Sequence, residues 1–159
     1  MRAVLGSRMF SFTTALMLAS VSVLAAPQDV AKVASRDAAS DEPVKVVYHV
    51  SEGIEQATAA LRNIRNHLTA DPTVKIIVVT HGAGVDFLLD GAKDKNGNLF
   101  DANVQELVRL GIAFRVCKVT LDRRMIDPKR VIEEAKLVPS GVAEVARLQA
   151  KDGYVYLKP

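Results

Sequence analysis

Two short apolar, β-branched runs open the ordered pattern of this chain: Val44 to Val50 (VKVVYHV) and Val74 to Thr80 (VKIIVVT). Between them Ile54, Ala57, Leu61, Ile64 and Leu68 recur at alternating spacings of three and four, the stripe of one amphipathic helix. Ser51 is the expected cap of that helix, with Glu52 and Glu55 in its first turn, where carboxylates suit the positive end of the dipole; Asp71-Pro72 ends it. After the second run come His81-Gly82-Ala83-Gly84, a short apolar segment from Val85 to Leu89, and a polar, turn-rich stretch from Asp90 to Asp101. Val104, Leu107 and Val108 mark a second helix that closes at Gly111. Ile112 to Val119 (IAFRVCKV) reads as a third strand. Asp127-Pro128, a cap followed by proline, starts a third helix that buries Val131, Ile132 and Ala135. Leu137 to Pro139 is a short fourth strand, Ser140 starts a helix with Val142, Val145 and Leu148 inward, and Tyr154 to Leu157 is a terminal strand.

Strands that alternate with helices imply right-handed crossovers and a parallel sheet covered on both faces. The first two strands are near-continuous apolar runs, as doubly covered strands should be. The expected architecture is a three-layer, flavodoxin-like α/β domain with a five-stranded parallel sheet, spanning residues 44–159. The beginning of the chain has a different character. Arg2 and Arg8 precede or flank an uncharged stretch, Met9 to Leu24, which is shorter than the roughly 20 apolar residues of a membrane span. Val23 and Ala25 fit the small-residue positions of a signal-peptidase site. Residues 1–25 therefore read as a signal peptide and residues 26–43, rich in Ala, Ser, Asp and Lys and closed by Pro43, as a mobile leader. The expected location is the periplasm, with no membrane attachment after cleavage.

That cleavage changes the charge argument. The chain of 159 residues carries 21 basic and 18 acidic side chains, a net charge of +3. The signal segment holds two of the basic residues and none of the acidic ones, so the remainder is close to neutral. No cluster of lysine and arginine interleaved with aromatics appears, so nucleic acid is not an expected partner.

The chain has one cysteine, Cys117. In an exported protein an unpaired thiol is buried and inert, bridged to another chain, or kept free for chemistry. In a parallel sheet all strands end at one rim, where ligands gather. His49 near the end of the first strand, His81 just after the second, and Cys117 near the end of the third all fall there. Parity places Arg115 on the same strand face as Cys117, which argues against a thiol sealed in an apolar core. Arg115, Lys118, Arg123 and Arg124 are expected to favour the thiolate through their charge. Gly82-Ala83-Gly84 lacks the rest of a nucleotide-binding pattern, and the calcium-loop likeness of Asp94 to Asn98 fails where Leu99 stands in place of glycine.

Taken in order, KVVYHV, LRNIRNHL, VVTHGAGVDFLL, NVQELVRLGIAFRVCKVTL and SGVAEVARLQAKDGYVYLKP resemble the DsrE/DsrF-like sulfur-relay family over Val44 to the end. The resemblance implies a flavodoxin-like fold, a homo-oligomer (trimer or hexamer), no cofactor, and a cysteine that carries sulfane sulfur as a persulfide, a role that falls on Cys117. It assigns supporting positions to Asn63, Asn66, His81, Gly82 and Asn103. The sulfur donor and the acceptor thiol remain unnamed by it. Two other readings stand beside it: a copper- or zinc-binding module using Cys117 with His49 and His81, and a non-catalytic oligomeric scaffold.

Overall fold

The computed structural model describes residues 42–159. The expected signal peptide, residues 1–25, and nearly all of the expected leader, residues 26–43, lie outside the described residues. Five strands form one all-parallel sheet: β1 (Lys45–Val50), β2 (Lys75–Thr80), β3 (Ala113–Cys117), β4 (Ala135–Val138) and β5 (Val155–Leu157), in the spatial order β4-β3-β2-β1-β5. The helices are α1 (Ile54–Ala70), α2 (Phe100–Arg109), α3 (Lys118–Arg123) and α4 (Gly141–Asp152), with a 3-10 segment at Gly82–Leu88 and a 3-10 turn at Pro128–Arg130.

The topology explains which helix covers which face. From β1 to β4 the chain steps three times in one direction, and right-handed crossovers then put the intervening elements on one side. The step from β4 back to β5 runs the other way and places α4 on the opposite side. Packing agrees. Val46, Tyr48, Val50, Ile76, Val78, Phe114 and Val116 share one core with the stripe of α1 and with Val104 and Leu107 of α2, while Val47, Ile77 and Val79 meet Val145 and Leu148 of α4. Phe87 meets Phe100 and Phe114 edge-on, with ring centroids 5.6 and 6.3 Å apart, and so ties the 3-10 segment to the larger core.

Several boundaries differ from the pattern-based expectation, each for a local reason. Helix α1 is capped at Gly53, whose φ of 98° suits glycine, and not at Ser51. The Gln56 side chain instead ties down the turn before the helix: its Oε1 accepts from the N–H groups of Ser51 and Glu52 at 2.7 and 2.8 Å. The third strand stops at Cys117, and Lys118 and Val119 begin a helix. Asp127-Pro128 nucleates only a three-residue turn, whose Lys129 N–H is held by the Asp127 carboxylate at 2.9 Å. Ala135 belongs to β4, which starts two residues earlier than expected. Ser140 does cap α4, but Val142 faces outward; one helix on this face needs only Val145 and Leu148 to cover its strands.

Candidate functional site

The carboxyl ends of β1, β2 and β3 bring His49, His81 and Cys117 to one rim. The Cβ atoms of Cys117 and His81 lie 3.1 and 3.2 Å from where a Cβ would stand on Gly141, and the Thr80 carbonyl oxygen lies 2.9 Å from it. Gly141 is the first residue of α4, so a glycine here lets the helix start directly over the strand tips. The His81 and His49 rings stack at a tilt, with centroids 4.7 Å apart. Beyond them the His49 Nδ1 meets the Tyr156 hydroxyl on β5 at 2.8 Å, while its Nε2 is buried without a partner.

Cys117 occupies two structural positions at once. It ends β3 and is the N-cap of α3, where the first backbone N–H groups of a helix lack internal partners. Burial pushes its thiol up, but the Thr120 hydroxyl and the N–H groups of Gly141, Thr120 and Val119 outweigh that, so the thiol sits below its ordinary value. Of these, the Val119 N–H is also donated to the Pro139 carbonyl at 3.2 Å. No capping hydrogen bond from α3 is closed on the Cys117 side chain.

The electrostatic expectation is corrected in its cause. Arg115 does share the strand face with Cys117, but its guanidinium pairs with Glu144 of α4, which also holds Arg147 at 3.0 Å. Lys118 is engaged with Asp122 at 2.8 Å, and Arg124 with Asp86 at 2.7 Å. Carboxylates neutralise these cations, and dipoles favour the thiolate in their place. The expected exposure is corrected as well: Cys117 is only 4% exposed, enclosed by α4 and the start of α3. Burial lowers the pKa of both His49 and His81, and for His49 the neighbouring charges of His81 and Lys158 add to it. Both rings are therefore held toward the neutral form.

Gly82 and its neighbours have a structural task. The Gly82 N–H donates to the Thr120 hydroxyl at 3.0 Å, and its carbonyl accepts from Arg124 at 3.0 Å. A Cβ on Gly84 would stand 2.2 Å from the Val50 carbonyl oxygen, so the glycine run permits a close backbone crossing over the end of β1. Asn103 is not brought to the rim cluster. Its Oδ1 accepts from Arg65 at 2.8 Å, joining α2 to α1 on the face away from α4. No group of three or more His, Cys, Asp or Glu side chains able to hold a metal ion occurs among the described residues, so the geometry lends no ligand set to the metal-binding reading. No described helix is long and apolar enough to cross a membrane.

Thr120, Gly141 and Tyr156 are site residues that pattern reading missed. The strand-like run Ile112 to Val119 conceals the helix that begins at Lys118 and carries Thr120. Ser140-Gly141 after a strand was legible as a cap and not as a close approach.

The model of the DsrE/DsrF-like family matches residues 44–159. Among solved structures, the chain is similar to a protein of unknown function, MTH1491, from Methanobacterium thermoautotrophicum, at 27% identity and a TM-score of 0.64, covering 73% of this chain and 99% of that one. It also resembles the YchN protein from E. coli in fold, at 17% identity and a TM-score of 0.59, covering 74% and 99% of the two chains. No curated protein matches the chain.

Proposed function

The chain belongs to the DsrE/DsrF-like family, and from that membership and the geometry of the rim we propose that it is a sulfur carrier whose working atom is the Cys117 sulfur. The observation that carries the reading is the placement of the chain's one cysteine at the end of β3, ringed by a hydroxyl and backbone N–H groups that favour its anion. A thiolate is the nucleophile in sulfur exchange. Cys117 attacks a sulfane sulfur of a polysulfide or persulfide donor; the new S–S bond forms as the donor's S–S bond breaks, and the donor leaves with the electron pair. An acceptor thiolate then attacks the outer sulfur, and the Cys117 thiolate departs regenerated. The exchange needs no cofactor and no net oxidant.

Two further elements belong to the proposal. The protein acts in the periplasm after loss of residues 1–25, and it works as a homo-oligomer, trimeric or hexameric. Val119 and Val142 support the second element. Val119 lies two residues after Cys117 and Val142 next to Gly141, and both are exposed apolar side chains, which a subunit interface would cover.

Because the chain has a single cysteine, the test is direct. Native protein incubated with polysulfide and weighed intact should gain the mass of one or more sulfur atoms, lose it to an added thiol, and show neither change as Cys117→Ser. Wild-type protein that gains no sulfur under these conditions would overturn the proposal.

A further inference from the structure

His49 is the rim residue whose hydrogen bonding is incomplete. Its Nδ1 meets the Tyr156 hydroxyl at 2.8 Å, and its Nε2 is buried with no partner among the described residues. A neutral imidazole carries one N–H and one bare lone pair. Placed on Nε2, the proton would be a buried donor without an acceptor, the rarer defect in folded proteins. It therefore stands on Nδ1 and is donated to the Tyr156 oxygen, and the bare lone pair is on Nε2. A second proton must enter at that buried atom.

The surroundings do not hold the cation so formed. From the end of β2 the His81 ring faces it, with centroids 4.7 Å apart. From β5 and the residues after it come the Tyr156 phenol and the positive charge of Lys158. Glu52, in the turn after β1, is engaged by Lys158. Helix α1 brings Gln56, which is neutral and holds the Ser51 and Glu52 N–H groups. Helix α4 covers this face of the sheet with Val145 and Leu148, and its Glu144 is turned to Arg115 and Arg147. A partly buried cation without a partner is costly, and the cost is relieved when the ring reaches water.

The weak side of the enclosure is β5. Of the two strands that flank β1, β2 lies inside the sheet and β5 is its edge. Strand β5 has three residues, pairs with β1 alone, and exposes the side chains of Val155, Tyr156 and Leu157. Beyond it hold only the ion pair of Lys158 with Glu52 and a contact from Gln56 Nε2 to the Pro159 carbonyl at 3.4 Å, longer than an ordinary hydrogen bond. Little apolar burial opposes its departure, as in segments that open locally. The His49 ring turns out to water only by breaking its bond to Tyr156, and that loosens the strand that carries the tyrosine.

We propose that β5 is a latch set by His49, closed against β1 while the ring is neutral and released when the ring takes up a proton. Release bares the outer backbone edge of β1 at Val46, Val47 and Tyr48. The inference does not depend on the sulfur-carrier reading. With the latch open His49 titrates near the ordinary 6.5, and with it closed lower. Opening is therefore favoured as pH falls below about 6.5, by at most about tenfold per pH unit for one proton.

Amide hydrogen exchange followed by NMR, corrected for the intrinsic pH dependence of exchange, reads the opening. Protection of residues 155–157 relative to β2 should fall by about threefold to tenfold between pH 7.5 and pH 5.5. His49→Gln keeps a hydrogen-bonding side chain that does not titrate, and its ratio should stay within about twofold over that range. Tyr156→Phe, at an exposed position, should lower the ratio already at pH 7.5, and it gives a reading should His49→Gln not fold. A wild-type ratio that does not move with pH would overturn the proposal, as would a Tyr156→Phe protein protected like wild type. A His49→Gln ratio that falls as far as wild type would overturn it too, since the titrating group would then be another one.

Discussion

Replacing Gly141 with alanine places a Cβ 2.9 Å from the Thr80 carbonyl oxygen, 3.1 Å from the Cys117 Cβ and 3.2 Å from the His81 Cβ. None of these atoms can rotate away. One is backbone of a buried strand, and the other two are bonded to backbone at the ends of neighbouring strands. Relief must come from α4, which has to lift by a few tenths of an ångström at its first turn. Overpacking of this kind costs about 1–3 kcal/mol. Against it, alanine removes freedom from the unfolded chain, a gain of about 0.4–1 kcal/mol where the backbone is unstrained, and Gly141 has no positive φ. The net expectation is a loss of about 1–2 kcal/mol, which lowers the melting temperature of a domain this size by roughly 4–8 °C. Lifting α4 also withdraws the Gly141 N–H from the Cys117 sulfur, so the thiolate fraction near neutral pH should fall together with the melting temperature. Thermal unfolding followed by circular dichroism and the thiolate absorbance curve read the two effects on one sample. A variant as stable as wild type, with an unchanged thiolate curve, would refute the claim that this glycine exists for a close approach.

Arg115→Ala should leave the thiolate curve unchanged, because the guanidinium is neutralised by Glu144; it should still cost about 2 kcal/mol in urea unfolding, below the usual 3–5 for a broken buried pair, since Glu144 keeps Arg147. The two rim histidines predict a pH dependence of stability. Their folded pKa values lie below the ordinary 6.5, so the unfolded chain takes up protons first, and stability falls as pH drops from about 6.5 through the acid side of that window. His49→Gln should flatten the decline of the urea midpoint between pH 7 and pH 5; an equal decline in both proteins would contradict the burial of His49 in its neutral form.

The sequence by itself determined the layers of this protein. Continuous apolar runs at Val44–Val50 and Val74–Thr80, with the three-and-four stripe from Ile54 to Leu68 between them, admit little besides buried parallel strands and a crossover helix. The parallel rule then carried His49, His81 and Cys117 to one rim, since all strands of such a sheet end together. Periodicity did not reveal the end of β3. The residues Lys118-Val119-Thr120 fit a strand as readily as a helix start, and only the approach of Pro139, Gly82 and Gly141 from distant parts of the chain makes them a helix that begins right after Cys117. Charge misled for the same reason. A basic residue near a cysteine in sequence acts on it only if no carboxylate takes it first, and Glu144, Asp122 and Asp86 do so here. Glu144 and Asp86 are brought in by elements that the local pattern cannot place. Chain order fixes which rim a residue reaches; long-range packing decides which neighbour it meets there, because hydrogen bonds and ion pairs act over a few ångströms and local pattern carries no such distance.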